Sequence, residues 1–346
     1  MSASDCSLSN STMRYGYLTP CSSPSEQIED PISSQKSSPT IRKIDSLQYC
    51  NKDDLVSDIC QSLRISGGCI IKNLVDKGIL ESLEAEIRPY LNRVEKADAQ
   101  REEFVPSSTR MVTGLLSKSK TYALNIAGNS IWQKVGENFL TTTMRNYWHG
   151  DKARTSTSLP QLSTTVTFSV RPGTKAQSLH RDDDIYHTYH PAAREHHNGR
   201  DTMVCLFVAG TKTRKENGAT RIIPGSHLWD YSQPPPSSDD ASIECAELDP
   251  GDAFMMLGGC FHGAGANTTP DEERLVYAAF STRGYLRQEE NQYLANDVEK
   301  IKELPISIQR YAGYGVSKPF MGWVDMEDPV RTMNPGATDE LDDDFW

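Results

Sequence analysis

The chain has 346 residues, 37% of them hydrophobic, and a net charge of −11 from 36 basic and 47 acidic side chains. That length exceeds one typical domain and leaves room for a sizeable core, whereas the negative balance disfavours a general nucleic-acid or anionic-membrane surface. No apolar run approaches the roughly 20 residues that span a bilayer, and the opening MSASDCSLSN lacks the basic and apolar regions of a signal peptide. Eight scattered cysteines, never spaced CxxC, read as free thiols in a reducing compartment. A soluble, cytoplasmic protein without a membrane span or a nucleic-acid partner is expected.

Residues 1–46 hold 13 Ser and 4 Pro with almost no apolar periodicity. Such a segment buries too little surface to offset its ordering entropy, so a disordered tail is expected there. Residues 334–346 carry Asp339, Glu340, Asp342, Asp343 and Asp344 and read as an acidic tail. The two tails contribute −1 and −5, which leaves −5 for the expected folded body, 47–333.

Helical patterning comes first in that body. Asp53-Asp54 precede Leu55, Ile59 and Leu63, an amphipathic helix stopped by Gly67-Gly68. Asp76 introduces Ile79, Leu80, Leu83, Ile87, Leu91 and Val94, with Pro89 as a potential kink. A third helical pattern runs from Ser130 to Trp148. Beyond it the period changes to two. Strands are predicted at 163–170, 202–210, 219–225, 252–257 and 274–283, separated by Gly, Pro, Asn and Asp turns. Many short strands with turn-rich links predict a mainly β sandwich or jelly roll with the helices packed outside it.

Five of the eight histidines lie in 180–197: His180, His187, His190, His196 and His197. His180-Arg181-Asp182 comes after the predicted strand 163–170, and in extended backbone residues i and i+2 face the same side. The imidazole and the carboxylate can therefore meet one metal. His262, flanked by glycines in 258–265, supplies a third donor near a later strand, since glycine lets a ligand approach the backbone closely. Two histidines and one carboxylate on one face of an octahedron leave three positions open, the arrangement of non-haem Fe(II) oxygenases. Asp183, Asp184, His187 and His190 compete as ligands, although they belong to a polar loop where solvated side chains are the default. Arg274 opens the last predicted strand, and its planar guanidinium can clamp a carboxylate with two parallel hydrogen bonds. Gln177 could add an amide donor beside it.

Taken together, His180-Arg181-Asp182, the run Asn217-Gly218-Ala219-Thr220-Arg221-Ile222-Ile223-Pro224-Gly225-Ser226-His227, and His262 with Arg274 resemble the phytanoyl-CoA dioxygenase family. Gln288-Glu289-Glu290-Asn291-Gln292-Tyr293-Leu294 is similar to a segment of its fungal natural-product members. The resemblance implies a double-stranded β-helix, a jelly-roll of cupin type, spanning the 47–333 domain. It implies Fe(II) on His180, Asp182 and His262, with 2-oxoglutarate as cosubstrate on Arg274, assisted by Gln177 and Thr220, and O₂ as oxidant. Thr202 competes with Thr220. His227 matches a turn that the family uses structurally and is left out of the metal set. Asp182 stands where halogenating relatives have a small residue, which argues against halogenation.

The implied activity is oxidation of a small lipophilic secondary-metabolite intermediate by hydroxylation, desaturation or radical rearrangement, with release of succinate and CO₂. An acyl-CoA α-hydroxylase is the alternative, although the acidic body shows no cradle for the CoA phosphates. A non-catalytic binding module would have lost a ligand or the anchoring Arg, and all four are present. A homodimer is the one assembly expected. The histidine- and aromatic-rich stretch Asp184–His197 is the candidate substrate-facing lid.

Overall fold

The computed structural model describes residues 45–48, 52–93, 106 and 108–336. All belong to one compact unit. The strands, in chain order, are β1 (Asp45–Gln48), β2 (Gly68–Lys72), β3 (Thr109–Thr113), β4 (Thr142–His149), β5 (Lys152–Ser158) and β6 (Pro160–Val170). They continue with β7 (Met203–Ala209), β8 (Thr220–Ile222), β9 (Glu244–Ala246), β10 (Ala253–Leu257), β11 (His262–Ala264) and β12 (Arg274–Arg283). A large seven-stranded sheet has the order β1-β2-β10-β7-β12-β6-β3, and a smaller one the order β11-β8-β9. Only the β1–β2 pair of the large sheet is parallel.

Side-chain alternation explains the layering. On β7, Val204, Leu206 and Val208 pack with Leu55, Ile59, Leu63, Leu83, Ile87, Trp132 and Val135 of the helices. The intervening Cys205, Phe207 and Ala209 face the other way, with Ile222 of the small sheet and Ala246 of β9. β10 and β12 divide similarly, Leu275 and Tyr277 toward the helices and Val276, Ala278 and Phe280 toward the small sheet. A strand buried on both faces reads as a continuous apolar run, which accounts for MVCLFVA and AFMML. The expected architecture is present: two facing sheets of a double-stranded β-helix, with helices outside the larger one.

The first helix spans Lys52–Ser66 and buries Leu55, Ile59 and Leu63. It ends because Gly67 turns left-handed (φ 75°) and its N–H closes on the Leu63 carbonyl at 2.8 Å. The second, Lys77–Leu91, buries Leu80, Leu83, Ile87 and Leu91 and runs through Pro89; Val94 lies outside the described residues. The third stops at Leu140 rather than Trp148. Thr141, Thr142 and Thr143 explain the difference, since consecutive β-branched side chains lose rotamer freedom in a helix and fit a pleated strand. The chain turns there into the β4–β5 hairpin.

The expected N-terminal tail lies outside the described residues except for Asp45 and Ser46, which open β1 and pair with Cys69 and Ile70. Of the expected acidic tail only Asn334–Gly336 is described, and Asn334 Nδ2 donates to Gln309 Oε1 at 2.7 Å. Cys60, Cys69, Cys205, Cys245 and Cys260 are free thiols, as read from their spacing; Cys6, Cys21 and Cys50 lie outside the described residues. Among the described residues no helix is long and apolar enough to cross a membrane.

Leu206 is fully buried between the large sheet and its helices. Leu206→Ala should cost about 2–5 kcal/mol, read as a lower urea midpoint at unchanged slope.

Candidate active site

The site is built on a backbone bridge. β11 pairs with β8 on one side, and on the other His262 is opposite His180. Each of these histidines donates its N–H to the other's carbonyl oxygen at 2.9 Å. Residues opposed in such an antiparallel pair carry their side chains on one face, and the two rings lie with centroids 4.5 Å apart. Arg181 stays extended (φ −111°, ψ 132°), so Asp182 returns to the face of His180 before a 3₁₀ turn over Asp182–Tyr186. The Asp182 N–H is held by the Gly258 carbonyl at 2.9 Å.

Asp182 Oδ1 lies 3.4 Å from His180 Nε2, and its Oδ2 lies 3.3 Å from His262 Nε2. One ligand atom from each of the three falls within 4.8 Å of the others, a grouping that could hold a metal ion. Nδ1 of His180 lies 2.9 Å from the Ser178 carbonyl and Nδ1 of His262 lies 3.1 Å from that of Cys260. With Nδ1–H donating to a carbonyl, Nε2 is the lone pair left to face the carboxylate. Burial alone would raise the Asp182 carboxyl, but His262 and His180 outweigh it and hold the group well below the usual carboxylate range. Burial opposes charge on His180, yet its hydrogen bond to Asp182 raises it overall. The three therefore form one tightly coupled electrostatic unit.

Arg274 opens β12 opposite Val170 and is almost fully buried. One Nη donates to Thr220 Oγ1 at 2.9 Å, while Nε is buried without a hydrogen-bond partner. Among the described residues no carboxylate pairs with it, and burial pulls its guanidinium down to about 10, still charged at neutral pH. Thr220 is thus the threonine on Arg274; Thr202 lies 3.4 Å from Thr188 Oγ1 and does not border the same cavity. Gln177 does border it, its Oε1 accepting from the Ala264 N–H at 3.1 Å.

One cavity of about 210 Å³ collects Gln177, His180, Asp182, Thr220, His262 and Arg274 between the two sheets. A larger one of about 690 Å³, lined by Gln161, Gly284 and Arg287, sits at the other end of the β6–β12 pair and contains no histidine. Chemistry, not size, selects the smaller cavity. Its wall is completed by Met111, Val166, Phe168, Phe207 and Phe280 and by Thr109 and Thr113 of β3. β3 has no clear signal in the sequence, being five residues with weak alternation. Glu289, in the segment 288–294, also lines the cavity, although nothing in its local sequence points there.

No residue of 184–197 lines this cavity, so the loop is not its wall. Its histidines hold the loop itself: His190 Nε2 lies 2.8 Å from the Arg200 carbonyl and buried His196 Nε2 lies 2.6 Å from Asp201 Oδ2. His187 takes a left-handed turn (φ 54°). His227 is buried apart from the cluster, with Nδ1 at 3.7 Å from Cys260 Sγ and Nε2 at 3.2 Å from the Arg64 carbonyl.

A family model described as phytanoyl-CoA dioxygenase matches residues 63–276, more than half of the chain and all of these site residues except Phe280 and Glu289. The chain belongs to the phytanoyl-CoA dioxygenase family. The dioxygenase cnsJ of Penicillium expansum is 40% identical over 84% of this chain and 86% of that protein. The dioxygenase himG of Aspergillus japonicus is 37% identical over 82% of this chain and 89% of that one. Among solved structures, the non-haem α-ketoglutarate-dependent carbocyclase SnoK of nogalamycin biosynthesis aligns with a TM-score of 0.48 at 15% identity, covering 70% of this chain and 90% of that one.

Gly263 is what lets the bridge close. A Cβ there would meet the Ser178 carbonyl oxygen at 2.9 Å and that of Gln177 at 3.2 Å, both backbone atoms. Gly263→Ala should push the 177–180 segment off β11 and part the two histidines. A fall of at least about tenfold in Ni(II) affinity by calorimetry is expected; an unchanged affinity would mean that the segment yields without moving His180.

Proposed function

We propose that the chain is an Fe(II)- and 2-oxoglutarate-dependent oxygenase acting on a lipophilic secondary-metabolite intermediate, with His180, Asp182 and His262 as the iron ligands. The observation that carries this reading is Arg274. A buried guanidinium with no counter-charge among the described residues is costly unless a ligand brings the anion. It shares its cavity with two imidazoles and a carboxylate, a donor set that suits Fe(II) and leaves one side open.

Arg274 would bind the far carboxylate of 2-oxoglutarate, with Thr220 fixing one Nη and Gln177 bordering the same end. Ser178 and Cys260 orient the two imidazoles through their carbonyls, and Asp182 contributes an ionised carboxylate. When bound, ferrous iron with 2-oxoglutarate supplies O₂-dependent oxidation of a substrate C–H bond, coupled to conversion of the cosubstrate to succinate and CO₂. The apolar wall of Met111, Val166, Phe168, Phe207 and Phe280 holds the substrate carbon in place and excludes water. The natural-product reading draws on that wall and on the family likeness of residues 288–294. Among the described residues Lys175 and Arg274 are the only lysine or arginine in the lining, too few to cradle the phosphates of a CoA ester. The same proposal takes 47–333 as the catalytic domain, with β1 moving its start to Asp45 and Asn334 extending its end.

Mixed anaerobically with Fe(II) and 2-oxoglutarate, the protein should develop the weak visible charge-transfer band of a chelated ferrous complex. His180→Ala or His262→Ala should remove both the band and succinate release, and Asp182→Ala should remove oxygenation. His187→Ala, His190→Ala and His227→Ala should keep the band; the reverse pattern would move the metal into the loop.

Arg274→Lys keeps one charge and loses the planar fork. The apparent KM for 2-oxoglutarate should rise at least about tenfold, the scale of one charge-assisted hydrogen bond. An unchanged KM would place the anchor elsewhere.

A further inference from the structure

Once iron and 2-oxoglutarate are assigned, one ionisable group of the cavity wall at the end remote from Arg274 is left without a task. On β6, Val170 is paired with Arg274 and Thr164 with Phe280. Those six residues separate the two ends by roughly 20 Å at about 3.3 Å per residue. Glu289 is clamped to the Thr164 end. Its N–H donates to Ser163 Oγ at 3.1 Å, and the Glu290 N–H donates to the Ser163 carbonyl at 3.2 Å. Glu290 Oε2 in turn accepts from the Thr165 N–H at 3.3 Å, and the buried Gln292 Nε2 donates to the Ser163 carbonyl at 3.3 Å.

The neighbours therefore fasten the backbone, while the Glu289 side chain opens onto the cavity and its carboxylate makes no hydrogen bond or ion pair among the described residues. Next to it the wall is Thr164 and Phe280, and Asp182 Oδ2 lies 3.5 Å from Sγ of Cys205, the β7 residue paired with Phe280. Lys175, the other charged side chain left over, sits beside Gln177 at the Arg274 end. A five-carbon dicarboxylate reaching from Arg274 to the metal stops short of Glu289. Its two charges and that of Asp182 are matched by Fe(II) and Arg274, so Glu289, exposed at the mouth of the cavity, is the acidic group left to face the substrate.

We propose that Glu289 receives a basic nitrogen of the substrate, which makes the substrate class an apolar scaffold carrying a protonated amine. This deepens the oxygenase reading and rests on it for the assignment of the other end of the cavity. Partial desolvation at the cavity mouth, with the charges of Asp182 and Glu290, raises the Glu289 carboxyl, and a cation at hydrogen-bond distance would restore its ionised form. An anionic acyl group would meet the opposite field.

Binding of tryptamine and phenethylamine, each compared with its N-acetyl derivative, tests this by calorimetry on the full chain, both metal-free and loaded with Ni(II) and 2-oxoglutarate. The amines should bind at least about tenfold more tightly than the acetylated forms, the scale of one charge-assisted bond. Glu289→Gln should erase that preference while leaving the acetylated probes and the ferrous 2-oxoglutarate band unchanged, and Glu289→Asp should keep part of it. Amines that bind no better than amides, or a preference that survives Glu289→Gln, would overturn the proposal. Loss of the band in Glu289→Gln would also overturn it, by moving the residue into the cosubstrate site. A wild-type chain that lacks the band yet prefers amines would sink the iron reading and support this one.

Discussion

The two backbone hydrogen bonds between His180 and His262 couple segments far apart in the chain, and the geometry of the site follows from them. An antiparallel hydrogen-bonded pair fixes both the separation and the common direction of the opposed side chains. The two imidazoles then converge, and the Ser178 and Cys260 carbonyls set their ring orientation. Asp182 is placed by the same device at one remove, since Arg181 stays extended and the Gly258 carbonyl holds the Asp182 N–H. Arg181 itself lies between Tyr231 and Phe261, its guanidinium carbon 4.0 and 3.7 Å from their ring centroids, and Nε donates to the Gly259 carbonyl at 2.9 Å. The residue between two cluster members is thus locked from the opposite side.

Burial on both faces of the large sheet makes this placement rigid. β7, β10 and β12 have no solvent face, because alternate residues pack on the helices and on the small sheet. Charge carried into such a layer is expensive, so each buried charge calls for a partner. Arg200 and Arg283 meet carbonyls on neighbouring loops, and Asp252 is paired with Lys72. Among the described residues Arg274 meets only the Thr220 hydroxyl. Its exceptional status among the buried cations is what marks its end of the cavity as the place for an anion.

Polarity then runs along the cavity. A buried cation stands at the Val170 end, while Asp182 of the two-imidazole carboxylate cluster and Glu289 both lie toward the Thr164 end. The apolar side chains between them contribute shape and dryness instead of charge. An elongated reaction partner and an elongated cosubstrate would thereby be sorted to opposite ends by electrostatics, before any close contact is made.

Local pattern determined the elements that carry the chemistry. β12 is bounded at Arg274 and Arg283 as its alternation predicts, β7 and β10 lie within their apolar runs, and the first two helices follow their buried stripes. His180, Asp182 and His262 could be chosen from sequence because i, i+2 spacing and flanking glycines act within a few residues. What acts over longer distances was not legible. The hairpin after Leu140, the short β3 and the pairing of Thr220 with Arg274 depend on partners elsewhere in the chain. The loop 184–197 looked like a lid because histidines and aromatics cluster in it, whereas tertiary contacts spend His190 and His196 on Arg200 and Asp201. Glu289 and Glu290 are adjacent and chemically identical; only the fold ties Glu290 to β6 and turns Glu289 into the cavity. Sequence periodicity assigns a side chain to a face, but the surface that this face meets is set by strand order, and strand order is a property of the whole chain.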